Sequence, residues 1–335
     1  SLKTLNAGTH GYNVGVGVDT GTSLTTGTFN TLIGGLAGDA LTDADYNIGV
    51  GYAALGADTL GSRSTAVGHN ALAQQNFTTA TDAYNTAVGM LAGYNVTTRT
   101  FNTLIGGLSG DALTVGNKNT ALGYNTLSTD TKGDRNVAIG TDALGTQNFT
   151  TSTDSYNTAV GFTAGGAITT GIINTFVGGL SGDAVTTGND NTALGYNSLG
   201  TNTASNRSVA VGSEALAALN VTTDTHVYNV GVGYAAGSGM TTGVLNTFVG
   251  GLTGLAITSG NNNTAYGYAA LSTDTLGDRN TAIGVLALGT QNFTTTTDSY
   301  NTAVGYTAGA AITTGVQNTL LGSLAGDALT DADFN

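Results

Sequence analysis

A five-residue motif, Asn-Thr-Ala-Val-Gly and close variants, recurs along this chain at fixed intervals. Copies begin at Asn13, Asn30, Asn47, Ser64, Asn85, Asn102, Asn119, Asn136, Asn157, Asn174, Asn191, Ser208, Asn229, Asn246, Asn263, Asn280, Asn301 and Asn318. The steps run 17, 17, 17 and 21 residues and then repeat, so Asn13, Asn85, Asn157, Asn229 and Asn301 stand 72 residues apart. A period this short excludes helix-pair repeats, which need roughly 33 to 47 residues. It fits one turn of backbone per repeat, each burying its apolar face only by stacking on its neighbours. The expectation is an all-β, parallel β-solenoid of about 19 coils. Its four-coil supercycle has three short coils and one long one.

The cycles cover residues 13–84, 85–156, 157–228 and 229–300, with a partial cycle at 301–335. They read as a single tandem-repeat array. Residues 4–12 match the tail of a long coil, and Gly326 to Asn335 nearly copies Gly38 to Asn47. Both ends therefore cut through a coil, which predicts a segment of a longer array. A weaker period of 144 residues is visible in the long coils. Those at Ser64 and Ser208 begin with Ser, whereas those at Asn136 and Asn280 begin with Asn.

Counting from the motif Asn as position 1, position 2 is always Thr, Val or Ile, and position 4 is Val, Ile, Leu or, once, Tyr266. Residues two apart share one face of a strand. Position 3 is Ala or Gly except in the second coil of each cycle, where it is Leu or Phe. The expected core is position 4 together with pairs such as Ala54-Leu55 and Ala143-Leu144. The small position 3 is then the face on which chains pack, and a core this thin predicts a homo-oligomer, a trimer or higher filament. Position 5 is Gly in every copy, which suits a bend with φ > 0 or a close backbone approach. Asn at position 1 suits the corner before the strand, and stacking predicts an Asn ladder.

Only 9% of residues are charged and the net charge is −13. With three lysines among so many acids, nucleic-acid binding is excluded on electrostatic grounds. The chain has no Cys, which removes disulfides and thiolate metal sites. No apolar run approaches the roughly 18 residues of a membrane-spanning helix.

Chemical signals are sparse. His10, His69 and His226 fall at unrelated places in the cycle, so no convergent nucleophile, base and acid are expected. The reading is a non-enzyme without a cofactor. Asp39, Asp43 and Asp45, repeated at Asp327, Asp331 and Asp333, are calcium candidates, since hard cations take carboxylates; the simpler reading is a solvated acidic turn. Asn76, Asn148, Asn220 and Asn292 each begin an Asn-x-Thr sequon at position 13 of a long coil. The extra residues there are expected to bulge outward, where a glycan can attach. Thr-Thr pairs at Thr25, Thr97, Thr169, Thr241 and Thr313 raise ice binding as an alternative, but they occur in one coil of four. Aromatic residues precede the motif at Tyr12, Phe29, Tyr46, Tyr84, Phe101, Tyr156, Tyr228 and Tyr300. They read as a stack that stiffens the solenoid, or as a stripe for surface glycans.

The motif is similar to the Asn-Ser-Val-Ala-Ile-Gly repeat of YadA-like heads in trimeric autotransporter adhesins. It is closer still to the Asn-Thr-Ala-Val-Gly-Tyr-x-Ala-Leu repeats of phage tail-fibre and related surface proteins. The resemblance extends along essentially the whole chain. It implies a left-handed β-roll, trimeric assembly, an extracellular, cell-surface or virion location, and a role in attachment. The heads differ in having shorter coils and no regular long fourth coil.

Overall fold

The computed structural model describes residues 1–3, 11–223 and 225–335. The chain forms two compact units, Ser1–Thr170 and Gly171–Asn335. Each is a parallel β-solenoid. In the first, nine three-residue strands run from Val14–Val16 to Thr158–Val160; in the second, nine run from Thr175–Val177 to Thr319–Leu321. Every one of these strands covers positions 2 to 4 of a motif copy. Successive strands within a unit pair in parallel with like positions facing, as in Val14↔Thr31, Gly15↔Leu32 and Val16↔Ile33, or Thr192↔Val209, Ala193↔Ala210 and Leu194↔Val211.

The coil is held in register by bonds that run along the stack. The amide of Gly34 donates to Val16 O at 2.8 Å, and that of Gly38 donates to Ala54 O at 2.9 Å. The expected Asn ladder is present, and it is buried from Asn30 to Asn318. Asn30 N donates to Asn13 Oδ1 at 2.8 Å, and Asn30 Nδ2 closes its own coil on Ala44 O at 2.7 Å. The second unit repeats this at Asn191, whose N bonds Asn174 Oδ1 at 3.1 Å and whose Nδ2 bonds Ser205 O at 2.9 Å. Asn suits the position because its side chain both accepts and donates, which an ionised Asp cannot do.

Position 5 explains its own invariance. All eighteen motif glycines have φ between +123° and +144°. A Cβ on Gly178 would stand 2.6 Å from Gly195 O in the next coil. Left-handed backbone also recurs at non-glycine positions, immediately before the motif (Tyr46 at +59°) and at position 7 (Leu36 at +58°). Proline, whose φ is fixed near −65° and which has no N–H to give, fits few places in such a coil; the chain has none.

The side-chain assignment of the strand is the reverse of the sequence expectation. Position 3 points inward and is completely buried in most coils, as at Leu32, Ala66, Leu104, Phe176 and Phe248. Positions 2 and 4 point outward and are half-buried or exposed, as at Ile33, Leu122 and Tyr266. Position 3 is therefore core and not a chain-packing face, and position 4 is surface.

The four-coil supercycle is a packing period. In coils one and two, position 9 is Gly, and a Cβ there would strike the bulky position 3 of coil two. Gly21 and Gly38 would come within 3.0 Å and 2.8 Å of Leu32 methyls, and Gly254 within 2.8 Å of the Phe248 ring. In coils three and four, position 9 is Leu, buried at Leu55, Leu72, Leu199 and Leu216, and position 3 is small. The core is filled alternately from the strand and from the corner, keeping interior volume constant along the stack.

Two tests follow from this geometry. Gly178→Ala should lower stability by ~2 kcal/mol or more through left-handed strain and carbonyl contact, while Gly179→Ala next to it, with nothing closer than 3.9 Å to its Cβ, should stay within ~0.5 kcal/mol of the parent. Denaturant midpoints followed by circular dichroism would separate them. Phe248→Ala should cost about 3–5 kcal/mol. Gly254→Leu should be destabilising alone, yet should recover part of that loss when combined with Phe248→Ala, because the corner Leu then fills the vacated space.

Candidate functional site

The outward surface is organised in columns, one per coil position. Positions 2 and 4 form a β-branched and apolar sheet face. Position 13 forms a column that the Thr-Thr pairs only hinted at: Thr25, Thr42 and Thr59 are followed by Asn76, and Thr97, Thr114 and Thr131 by Asn148. Their hydroxyls donate along the stack, Thr25 Oγ1 to Thr42 O at 3.1 Å and Thr42 Oγ1 to Thr59 O at 3.1 Å. The Thr column thus serves as a second ladder.

The sequons end this ladder in each cycle. Asn76 Oδ1 accepts from Thr59 Oγ1 at 3.0 Å, Asn148 from Thr131 at 3.1 Å, Asn220 from Thr203 at 2.9 Å and Asn292 from Thr275 at 3.1 Å. Asn148 and Asn292 are exposed, and Asn76 and Asn220 half-buried. The next residue anchors the extra segment: Phe77, Phe149 and Phe293 are buried. Phe77 O accepts from Thr59 Oγ1 and Leu60 N. Thr78, Thr79 and Ala80 beyond it are exposed. The segment rejoins the stack at Thr81–Asp82, which pairs with Gly61–Ser62.

Each long coil follows an Arg and ends in a Tyr. Arg63 lies over the rings of Tyr46 and Tyr84 at 4.9 and 5.8 Å, and its Nε bonds Asp82 at 2.8 Å. Arg135 pairs with Asp154 and Arg279 with Asp298. In the third cycle His226 occupies the place of Asp82, bridging to Asn206, and Arg207 turns to Asp190 at 3.5 Å and Tyr228 Oη at 2.7 Å. The expected aromatic stack is present where consecutive coils carry rings: Tyr12–Phe29–Tyr46 stack at 5.2 and 5.0 Å, and Tyr84–Phe101 at 5.7 Å.

The calcium candidates are spread along their turns. Asp43 accepts from Thr26 Oγ1 at 2.6 Å, and Asp45 from Thr28 N at 2.6 Å. Asp333 accepts from Val316 N at 2.8 Å, and Asp331 from Thr330 Oγ1 at 3.0 Å. Asp39 is held up in pKa by burial, and Asp327 is exposed. Among the described residues no group of three His, Cys, Asp or Glu side chains is placed to hold a metal ion. His10 lies outside the described residues; His69 stacks on Tyr52 at 5.5 Å. Among the described residues, no helix is long and apolar enough to cross a membrane.

The titratable groups that sequence reasoning missed lie inside. Position 12 is apolar in coils one and two but is Asp58, Asp130, Asn202 or Asp274 in coil three, all fully buried. Asp58 Oδ2 accepts from Gln75 Nε2 at 2.6 Å, and its Oδ1 accepts from the amides of Gly61 and Phe77. Gln75 Oε1 in turn accepts from Asn85 Nδ2 at 2.8 Å. The same Asp–Gln–Asn chain recurs at Asp130–Gln147–Asn157 and Asp274–Gln291–Asn301. The third cycle exchanges both partners, to Asn202 and Leu219, and Ser208 Oγ is left buried without a bond. Its counterpart Ser64 Oγ accepts from Gln75 at 2.9 Å. The 144-residue period has a similar origin. Where the long coil begins with Asn136 or Asn280, Ser155 or Ser299 donates to its Oδ1 at 2.9 or 2.8 Å. Where it begins with Ser64 or Ser208, that place is Ala83 or Val227.

Burial raises Asp58 and Asp130 above their usual 3.8, against the opposing hydrogen bonds from Gln and backbone amides. Burial also raises Asp111 and Asp183. The folded chain thus holds these protons more tightly than the unfolded chain, and stability falls as pH rises from about 3.8 through the raised range. Melting temperature should therefore increase on acidification from neutrality toward pH 4. Asp58→Asn with Gln75→Leu, and Asp130→Asn with Gln147→Leu, copying Asn202 and Leu219, should flatten the slope; an unchanged slope would assign it to other groups.

No family model matches this chain, and no curated protein matches its sequence.

Proposed function

We propose that the chain is a segment of an extracellular or virion fibre, a stiff shaft that projects or spaces other elements, working mechanically and not as an enzyme. The observation that carries this reading is the axial ladder. Motif Asn, motif Gly and position-13 Thr each bond or abut their counterparts in the adjacent coil. Such stacking gives length in proportion to repeat number and resists bending without a central globular core. The low charge and outward apolar sheet face support self-association into a homo-oligomer, with a trimer the arrangement that the motif's resemblance favours. The exposed long-coil segments, once per cycle, are the natural place for glycans or for lateral contacts.

Small-angle scattering at low concentration tests the shaft. A compact chain of 335 residues would have a radius of gyration of about 20 Å. A fibre segment should exceed that clearly, with the pair-distance tail of a rod and an elongated particle in negative stain. A globular profile would overturn the reading.

A further inference from the structure

Position 6, just past the motif Gly, forms the most exposed aromatic column. In the second unit it carries Tyr196, Tyr234, Tyr268 and Tyr306, each between 56% and 60% exposed. These rings come on every second coil. The coils between carry Ser213, Gly251 and Val285. The stack is in register here, since the amides of Glu214 and Leu252 donate to Tyr196 O and Tyr234 O. Rings two coils apart are separated by about 9.6 Å. A ring placed midway would lie about 4.8 Å from each neighbour. The chain's own stacked pairs, at 5.0 to 5.7 Å, show that rings one coil apart pack together.

The gaps are kept open by residues that the backbone does not require. Gly35, Gly107, Gly179 and Gly251, all at position 6 of coil two, lie outside the left-handed region. A Cβ on Gly251 would meet nothing closer than the Tyr268 ring at 3.7 Å. Larger residues are therefore compatible with the backbone, and a Gly there leaves the face of the adjacent Tyr bare. The first unit fills one such gap from within its own chain: His69, at position 6 of coil four, stacks on Tyr52 at 5.5 Å.

From Tyr196 to Tyr268 the rings alternate with gaps of one ring's width at Ser213 and Gly251, and this stretch is complementary to itself when shifted by one coil; Val285 narrows the interval before Tyr306. We propose that position 6 is a tyrosine zipper, in which the rings of a second copy of this chain insert between those of the first. This rests on the self-association in the proposed function and names its contact. Charge favours the same occupant. The chain carries −13 overall, yet positions 2, 4 and 6 contain no carboxylate, lysine or arginine along the whole array, so two copies can meet there without like-charge repulsion. The four rings supply about half of the roughly 800 Å² per partner of a stable interface, and the neighbouring position-4 column can supply the rest.

The test uses the full chain and analytical ultracentrifugation across a concentration series, with circular dichroism to verify the coil. Removing the rings (Tyr196, Tyr234, Tyr268 and Tyr306 each →Ser) should weaken association at least 10-fold. Filling the gaps with Ser213→Tyr and Gly251→Tyr should weaken it by a similar factor although the surface becomes more apolar. A face that was merely sticky would associate more tightly when filled, and that result would overturn the zipper. Should the filled variant lose its coil signal, Gly179→Tyr with Ser323→Tyr poses the same question at neighbouring coils. A wild-type chain that stays monomeric throughout would also overturn it, while scattering from that monomer would still report on the shaft independently.

Discussion

Each coil of this protein depends on like residues meeting like residues across one step of the stack. The backbone amide and carbonyl rows set the spacing, but they would tolerate a slip of the sequence along the coil. The motif Gly does not. Its carbonyl passes so close to the Cα of the preceding motif Gly that no side chain fits between them, and its φ is closed to other residues at low cost. The motif Asn adds a second constraint, because its carbonyl must reach the amide of the next Asn while its own amide closes the coil. With both satisfied, only one register remains, and every other column follows from it.

Within that register the core has one degree of freedom, namely which wall supplies its bulk. The chain alternates the two solutions, with Leu or Phe from the strand in coil two and Leu from the corner in coils three and four. The corner solution places Leu in left-handed backbone, at +55° for Leu55 and +50° for Leu72, where a branched side chain is strained. Burial of a whole Leu side chain, worth about 2 kcal/mol, offsets strain of this order. The strand solution avoids it by using Gly at the corner. The same logic reaches the polar interior, where the Asp–Gln pairs of the first, second and fourth cycles become Asn202 and Leu219 in the third. A pair of buried polar groups can be changed together more safely than singly, since either change alone leaves a group without its partner.

The repeat, the coil length, the parallel stacking and the Asn ladder were all legible in the sequence, because each is a statement about spacing and about the bonding capacity of one residue type. The inward and outward faces were not. Alternation shows that positions 2 and 4 share a face, but here both faces are free of charge, and the bulkier one was taken for the core. The signal that decides the matter is a correlation across the coil: position 3 is large only where position 9 is Gly. Two positions that exchange volume must face the same space. The buried Asp58 and Asp130 were hidden for a related reason, since a lone acid in a turn looks solvated unless the Gln of the following coil is recognised as its partner. The Arg–Asp–Tyr clusters beside the long coils were not legible: an Arg stands before each long coil, but nothing in the spacing brings Asp82 back across its 19-residue separation from Arg63.

That inversion of faces bears on assembly. Small residues at position 3 would have offered a smooth surface on which chains slide, giving affinity without register. The outward β-branched columns instead present a row of steps at coil spacing, and position 6 adds rings at twice that spacing. Two copies meeting there would interleave only at offsets of an odd number of coils, because an even offset sets ring against ring. A stack that fixes its own register internally thereby carries that register out to its surface columns, which is the register that the proposed contact between copies would read.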